Sequence, residues 1–387
     1  MKNLKDRQAA RSMNTFDYTT LARSIALRFP RTNFLAIQVT FWVTAFLILA
    51  TVMHFTAIVL NLGYEAQVPL DFPPFLLFSV ISGVIYGTVL GVSDPWLEQH
   101  VLGSKSLGVT ILLQAAMYFA VLIIMMTLTR FLVWEYIIVP GFYNDVSPVS
   151  NELAWHYYAY IVAVYTFPMG LVIGFINQMN KKFGPGVLVP LLLGKYRNPR
   201  EENRIFMFMD LESSTSHAEN LGHLKYSAFI RDSFLDINRV VSKYRAEIYQ
   251  YVGDEVVISW PSKGAMSRLS HVEFFFDCQL TFRQREAYYN ENYGVVPRFK
   301  AGLHQGIVTA VEVGDIKRDI AYHGDTLNTA SRIQSKCKEY GSDLLISDQI
   351  ETGINWTQGY KKTFVGQVSL RGKHAPISLF DVRPEVS

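Results

Sequence analysis

Long uncharged apolar runs fill the first half of the chain, and mixed polar patterns fill the second half. Four runs contain no Asp, Glu, Lys or Arg, at residues 32–64, 72–93, 106–129 and 153–180. Each reaches the ~20 residues that cross the hydrocarbon of a bilayer in helical conformation. The pattern predicts four transmembrane helices, and the much shorter run 187–193 predicts an interfacial or coupling segment.

The second half alternates strand-like and helix-like patterns. Residues 204–210 predict a strand that ends in an acid, 217–244 a helix, and 247–260 two strands joined at Gly253 and Asp254. A helix over 272–290, a hairpin over 296–313 that turns at Gly306, a helix over 326–340 and closing strands at 344–347, 364–370 and 377–382 follow. This order predicts an α+β domain with a ferredoxin-like, split βαβ arrangement and appended strands.

Composition separates the same two parts. The chain has 36 Lys and Arg and 33 Asp and Glu, but residues 34–180 hold only nine of these charges. A single soluble globule and a wholly embedded chain are both excluded. A net charge of +3 is too small to favour nucleic acid, and two cysteines in the polar half do not indicate a disulfide framework or a zinc cluster.

The Lys and Arg residues predict the orientation. Residues 1–33 carry seven of them and 181–204 six, whereas the loops after the first and third apolar runs hold only Arg130. The positive-inside rule places both termini in the cytoplasm, at the plasma (inner) membrane. A basic stretch this long before the first apolar run is not the pattern of a secretory signal peptide. We expect a basic segment at 1–33, a transmembrane domain at 34–180, a linker at 181–203 and a soluble domain at 204–387.

Two features of the apolar half have two readings each. His54 and His156 both fall in the predicted outer leaflet, where they could hold haem or a metal, or could be satisfied by the interface and a neighbouring helix. Gly83, Gly87 and Gly91 form a stripe of small residues that suits close helix packing, within one bundle or between two chains.

Two carboxylates fall at predicted strand ends. Asp210 closes the first strand and Asp254 lies at the hairpin tip. Taken singly, Asp210 could cap the next helix and Asp254 could fill a turn. Neighbouring strand ends with one aspartate each also suit two divalent cations that bind carboxylate oxygens and phosphates.

Four segments carry a family resemblance. FMDLESST (208–215), EIYQYVGDEVV (247–257), RFKAGLHQGIV (298–308) and GDTLNTASRI (324–333) resemble, in order and spacing, the signatures of class III nucleotidyl cyclases, membrane-bound bacterial type. The similarity covers about 200–383. It implies formation of a 3′,5′-cyclic nucleotide by attack of the ribose 3′-oxygen on the α-phosphate, with release of pyrophosphate.

The resemblance also implies roles for single residues. Asp210 and Asp254 match the two metal-binding aspartates, and Leu211 matches the residue whose carbonyl assists them, with two Mg²⁺ or Mn²⁺ ions per site. Asn328 matches the asparagine that orients the ribose, and Arg332 matches the arginine that stabilises charge on the phosphates. In this family the two sets meet across a homodimer, so each chain would complete its partner's site.

The chain departs from the family where the base is read. The position of the adenine-selecting lysine holds Gln250, and the position of its partner holds Ala321. Gln250 can donate to adenine N1 or accept from the 6-amino group, whereas Ala321 offers no hydrogen bond. Asp319 could take the place of Ala321 only if the hairpin were shifted. ATP is the expected substrate, with GTP as the alternative.

Other functions share parts of this pattern. YVGDEVV faintly resembles the GGDEF hairpin of diguanylate cyclases, but that family does not explain Asn328 and Arg332 after GDTLN. A membrane receptor that binds nucleotide without turnover is a further reading. The transmembrane helices could be an anchor, a ligand sensor or a cofactor-bearing regulator, and the sequence leaves these open.

Overall fold

The computed structural model describes residues 29–64, 72–102, 105–132, 148–184, 187–262, 269–352, 354, 356, 359–368 and 376–385. They form two compact units, one over Phe29–Phe183 and one that contains Gly184–Ser387. Most of the basic N-terminal segment, residues 1–28, and the loops 65–71 and 133–147 lie outside the described residues. The predicted orientation, which depends on these segments, therefore stays a prediction.

The first unit is a bundle of long helices, as predicted. Its helices are α1 (Pro30–Tyr64), α2 (Phe72–Leu97), α3 (Leu107–Thr129) and α4 (Pro148–Phe183), and a π-helical turn (Glu98–Leu102) extends α2. All four are long and apolar enough to cross a membrane. Trp42, Tyr86 and Tyr118 pack in the centre, whereas residues such as Val59 and Leu62 are exposed on the outside. An apolar exterior around a packed centre suits a lipid environment.

The glycine stripe of α2 packs against α1. A Cβ at Gly83 would lie 2.6 Å from the Cα of Val43, and a Cβ at Gly87 would lie 2.6 Å from the Cα of Val39. The two backbones can approach this closely only because glycine has no side chain. Packing within one bundle thus accounts for the stripe.

The two histidines of this unit have local partners. His54 stacks on Phe72 with ring centroids 4.1 Å apart, and His156 Nδ1 lies 2.8 Å from the carbonyl oxygen of Glu152. Haem or metal binding by these histidines stays an untested prediction.

The second unit begins with a short helix, α5 (Leu188–Leu192), in the predicted coupling segment. Its strands are β1 (Arg200–Leu211), β2 (Glu247–Val252), β3 (Glu255–Pro261), β4 (Phe299–Val313), β5 (Asp319–His323), β6 (Leu344–Ser347), β7 (Tyr360–Val368) and β8 (Ile377–Pro384). Its longer helices are α6 (Ser214–Val241), α7 (Leu269–Gln284), α8 (Glu286–Tyr293) and α9 (Asp325–Ser335), and α10 (Cys337–Tyr340) and α11 (Asp348–Glu351) are single turns. β1 starts four residues before the predicted boundary at 204.

The sheet confirms the predicted fold class. Its order is β2-β3-β1-β4-β6-β8-β7, and β5 pairs with β4. The first four strands have the ferredoxin-like arrangement, with β1 antiparallel to both β3 and β4, and the remaining strands extend the sheet.

The predicted turn at Gly306 is wrong. β4 runs without a break from Phe299 to Val313, and the chain turns after it, where Gly314 has φ +95°. Gly306 has another role: a Cβ there would lie 2.4 Å from Thr326 Oγ1 of α9. Glycine is needed at this position because a helix crosses the strand closely, not because the strand reverses.

β1 separates two packed layers. Ile205, Met207 and Met209 face the main core, which α6 and α7 cover, and Phe206 and Phe208 face the opposite layer, which contains Ala330 of α9. This alternation is the period of two that an extended strand imposes. Asp210 continues the series on the α9 face.

Candidate active site

Asp210 lies on the α9 face at the end of β1, between two charged neighbours. Its Cα partners are Glu255 on β3 and Lys300 on β4. Directly opposed residues in antiparallel pairs place their side chains on the same face of the sheet. Asp210 is half-buried there, with an acid on one side and a base on the other.

Asp254 follows Gly253 in the tight turn between β2 and β3. Gly253 has φ +63°, a conformation that glycine adopts at little cost, and this turn sets Asp254 beside the end of β1. The structure therefore brings the two predicted metal-binding aspartates to one end of the sheet. The side chain of Leu211 is buried in the core, so the predicted role of this residue as a metal ligand falls to its backbone carbonyl oxygen.

The carboxylates of this end act on one another. Burial, and then the charge of Asp254, raises the pKa of Asp210, although a hydrogen bond with the Gln334 side chain opposes the shift. Burial, and then the charges of Asp210 and Asp254, raises the pKa of Glu255 to about 7. Three mutually repelling carboxylates make a site that a cation would stabilise.

The protein groups at this end supply only part of the ligands that a divalent cation needs. Among the described residues, no group of three or more His, Cys, Asp or Glu converges to hold a metal ion. Two aspartates with an open side are the arrangement in which Mg²⁺ completes its octahedral shell with water and substrate phosphate oxygens. The residues present therefore fit a metal that is shared with a phosphate substrate.

Lys300 and Gln334 also belong to this end, and the sequence did not indicate them. Lys300 Nζ lies 2.9 Å from Glu212 Oε1, and Lys300 is the Cα partner of Asp210. Gln334 comes from the last turn of α9 and bonds to Asp210. Only the register of β1 on β4 and the docking of α9 bring these two residues near Asp210, so no local motif could have indicated their proximity.

Asn328 and Arg332 lie on α9 but outside its packed face. The buried residues of α9 are Thr326, Thr329, Ala330 and Ile333. Asn328 is exposed and Arg332 is half-buried, one turn apart along the helix. The two residues thus lie one turn apart on a side of α9 that does not carry its buried residues.

Gln250 reaches the α9 face through an irregularity in β2. The ladder between β2 and β3 shifts register between Ile248 and Gln250, and Gln250 then pairs with Val257. Tyr249 takes up the extra position, and its ring lies 5.0 Å from that of Tyr322. Gln250 is exposed next to this aromatic pair.

Ala321 pairs with Val311 of β4 and is half-buried. The β4–β5 ladder is regular from Thr309 and His323 to Val313 and Asp319, so the shift that would put Asp319 in place of Ala321 is absent from this hairpin. The carboxylate of Asp319 accepts a hydrogen bond from the backbone N–H of Ile320, at 2.9 Å.

The part of the chain that contains this site is similar to known proteins. Residues 197–380 match the family model described as the adenylate and guanylate cyclase catalytic domain. Over these residues the chain is similar to the class III nucleotidyl cyclases. The aspartate pair, the predicted base-reading positions and α9 all lie within the matched residues.

Named relatives share this domain. Adenylate cyclase 2 of Rhizobium meliloti (strain 1021) is 36% identical over 221 residues, which cover 57% of this chain and 61% of that protein. Adenylate cyclase of Anabaena cylindrica is 23% identical over 181 residues, or 46% of this chain and 36% of that protein. The chain thus matches less than two thirds of the length of either relative. Among solved structures, adenylyl cyclase CyaB from P. aeruginosa is 18% identical and covers 49% of this chain and 97% of its own, with a TM-score of 0.41.

Proposed function

We propose that this protein is a membrane-anchored adenylyl cyclase that converts ATP to 3′,5′-cyclic AMP and pyrophosphate at a homodimer interface. The observation that carries the proposal is the meeting of Asp210 and Asp254 at one sheet end of a class III cyclase domain. The names of the matched relatives, all adenylate cyclases, support ATP over GTP.

The aspartates would position the phosphates through the divalent cations that they bind. Asp210, Asp254 and the Leu211 carbonyl would hold two divalent cations, Mg²⁺ or Mn²⁺, which supply acidification of the ribose 3′-hydroxyl and compensation of phosphate charge. Lys300 and Gln334 restrain Asp210 and its neighbour Glu212 from the side of β4 and α9. This restraint keeps the strand end ordered while the triphosphate is bound.

Two residues of α9 act on the phosphates and on the ribose. Arg332 donates hydrogen bonds to the phosphates and stabilises the negative charge that grows on them, and Asn328 orients the ribose so that O3′ faces the α-phosphorus. Both lie outside the packed face of their own chain, which supports their use in a site shared with a second copy. Two such sites would form in a symmetric dimer.

The helical unit supports attachment to a bilayer. Its four helices are of spanning length and present apolar side chains outward. Together with the distribution of Lys and Arg in the sequence, this favours a multi-pass inner-membrane protein with a cytoplasmic cyclase domain. Cell fractionation checks it: the protein should stay in the membrane pellet after an alkaline wash, and release by that wash would contradict spanning helices.

Turnover of ATP by the purified full-length protein tests the proposed activity. With Mn²⁺ or Mg²⁺, cyclic AMP and pyrophosphate should form in equal amounts. Asp254→Ala should lower the rate by at least about 100-fold, because it removes a metal ligand worth several kcal/mol in the transition state. Glu201→Gln, an exposed acid at the far end of β1, is the matched control and should leave the rate unchanged.

Two outcomes would replace the proposal. Binding of ATP with no product would favour the nucleotide-binding receptor. A higher kcat/KM for GTP in a competition assay would favour the guanylyl cyclase.

A further inference from the structure

A layer of buried polar side chains crosses the helical unit. Gln38 of α1, Asp94 of α2, Gln114 of α3 and Asn177 of α4 are each at most 2% exposed. Each helix contributes one of them, and all four helices are otherwise strongly apolar. An ionisable side chain in such surroundings is costly unless it is paired, so a buried carboxyl here needs an explanation.

The hydrogen bonds of Asp94 use one of its two oxygens. Gln38 Nε2 donates to Asp94 Oδ2 at 3.2 Å, and the Tyr118 hydroxyl donates to the same oxygen. Asp94 Oδ1 and Gln38 Oε1 are both buried without a hydrogen-bond partner among the described residues. Two acceptors on adjacent, mutually bonded groups are therefore left facing no donor, which native interiors avoid.

The charges around Asp94 do not balance. The charged groups that act on it are Glu98, from the turn that follows α2, and Lys181 of α4. Lys181 forms an ion pair with Glu98. The side chains that reach Asp94 from α1 and α3, Gln38 and Tyr118, are neutral donors. Among the residues that the structure describes, two carboxylates and one ammonium therefore leave one negative charge without a counterion.

We propose that Asp94 and Gln38 form a site for a small cation, a proton or Na⁺, held by Asp94 Oδ1 and Gln38 Oε1. One cation meets both unfilled acceptors and cancels the remaining charge. A proton on Oδ1 turns that oxygen into a donor for Gln38 Oε1, whereas Na⁺ takes both oxygens as ligands. A water molecule alone would satisfy the oxygens but leave the charge.

The rest of the layer suits a hydrated site. Gln114 Nε2 is a buried donor that also lacks a hydrogen-bond partner among the described residues. Gln114 Oε1 accepts a hydrogen bond from Gln178 Nε2 at 3.1 Å, so its free amide edge is the donating one. Donors of this kind bind the oxygen of a water that accompanies the cation.

Infrared spectroscopy of the full-length protein in lipid nanodiscs tests the proton form. In Na⁺-free buffer at neutral pH, and in addition to any band from Glu255, whose pKa is raised to about 7, the wild type should show the carbonyl stretch of a protonated carboxyl, shifted in ²H₂O. Asp94→Asn should lose this band. Glu152→Gln removes an exposed acid of the same unit, which pairs with Arg130, and should keep it.

Replacement of choline chloride by NaCl at constant ionic strength tests the Na⁺ form. If Na⁺ occupies the site, NaCl should abolish the carboxyl band and raise the unfolding temperature of the wild type, but not that of Asp94→Asn. If the band stays and NaCl has no effect, the cation is the proton.

The proposal is wrong if the wild type shows neither the band nor a stabilisation by NaCl, or if the band remains unchanged in Asp94→Asn. Gln38→Met is a second variant in case Asp94→Asn does not fold. It keeps the acid and removes one proposed ligand, so it should move the band to higher wavenumber or weaken the effect of NaCl. An unaltered response in Gln38→Met would exclude Gln38 from the site.

Discussion

Gln250 is exposed on the α9 face of β2, and it is uncharged. The resemblance to class III cyclases predicts that this position reads the base. An amide can donate to adenine N1 or accept from the 6-amino group, so we expect Gln250 to favour ATP without strongly rejecting GTP. A site with few matched polar groups discriminates weakly, because the wrong base leaves few of them unpaired.

Substitution of Gln250 should therefore move the base preference in either direction. Gln250→Lys should raise the ratio of kcat/KM for ATP to that for GTP by roughly tenfold, the value of one charge-assisted hydrogen bond, and Gln250→Glu should lower it. Competition assays with both nucleotides measure the ratio. Val252→Thr, two residues further along β2 and also exposed, is the control. Equal ratios in all variants would remove Gln250 from base reading.

Among the elements, α6 is fixed to α8 through a buried acid. Asp232 Oδ2 accepts hydrogen bonds from the hydroxyls of Tyr288 and Tyr293, each at 2.6 Å. Burial raises the pKa of Asp232, but these hydrogen bonds and that of Arg231 outweigh it, and the pKa lies below its ordinary value of 3.8. The ionised form is thus the one that the folded domain favours.

This contact predicts a stability that depends on pH. A carboxyl whose pKa falls on folding contributes its full stability above the unfolded pKa, about 4, and loses it as the pH drops through the folded pKa. Asp232→Asn should therefore destabilise α6 and α8 at pH 7 by about 1–3 kcal/mol and have little effect at a pH below the folded pKa of Asp232. Amide hydrogen exchange of the full-length protein measures this. Glu219→Gln, exposed on the same helix, should behave like wild type at both pH values.

The docking of α9 depends on Gly302. A Cβ at this position would lie 2.2 Å from the backbone nitrogen of Gln334 and 2.6 Å from the carbonyl oxygen of Ala330. Both obstacles are backbone atoms, so the helix itself has to move.

Gly302→Ala should therefore lift α9 from the sheet. We expect a loss of about 1–3 kcal/mol in stability, as for other overpacked cores, and a fall in kcat, because Asn328 and Arg332 are carried by the displaced helix. Thermal unfolding and cyclase assays measure the two effects. Ala310→Gly, which removes a methyl group from the same strand, separates loss of packing from displacement of α9. Full activity in Gly302→Ala would show that the position of α9 is not critical.

For the whole molecule, the proposed shared site predicts complementation. Asp254→Ala chains lack a metal ligand, and Arg332→Ala chains lack the phosphate donor, so each homodimer should be inactive. A heterodimer keeps one intact composite site and should work at roughly half the wild-type rate. Heterodimers isolated through two different affinity tags measure this. If they form and stay inactive, each site is built within one chain.

The sequence by itself determined what depends on local pattern. Uncharged runs of spanning length can satisfy their backbone in lipid only as helices, and the structure has helices at all four. Strand and helix periodicity predict the ferredoxin-like order, and the segments that resemble cyclase signatures contain Asp210 and Asp254. These features are contained in short stretches, where side-chain spacing and backbone chemistry suffice.

Tertiary structure alone decided what depends on which distant residues meet. The sequence pattern favoured a turn at Gly306, whereas in the structure this glycine makes room for α9. Its role could not be predicted, because a close approach between two elements leaves no local signal in the sequence. Lys300 and Gln334 reach Asp210 only through strand register and helix docking. The apolar run 72–93 stops just before Asp94, but α2 continues to Leu97, and the packing of four helices buries that carboxyl beside Gln38. Pairings between residues far apart in sequence are fixed by the packing of whole elements, and pattern along the chain does not encode them.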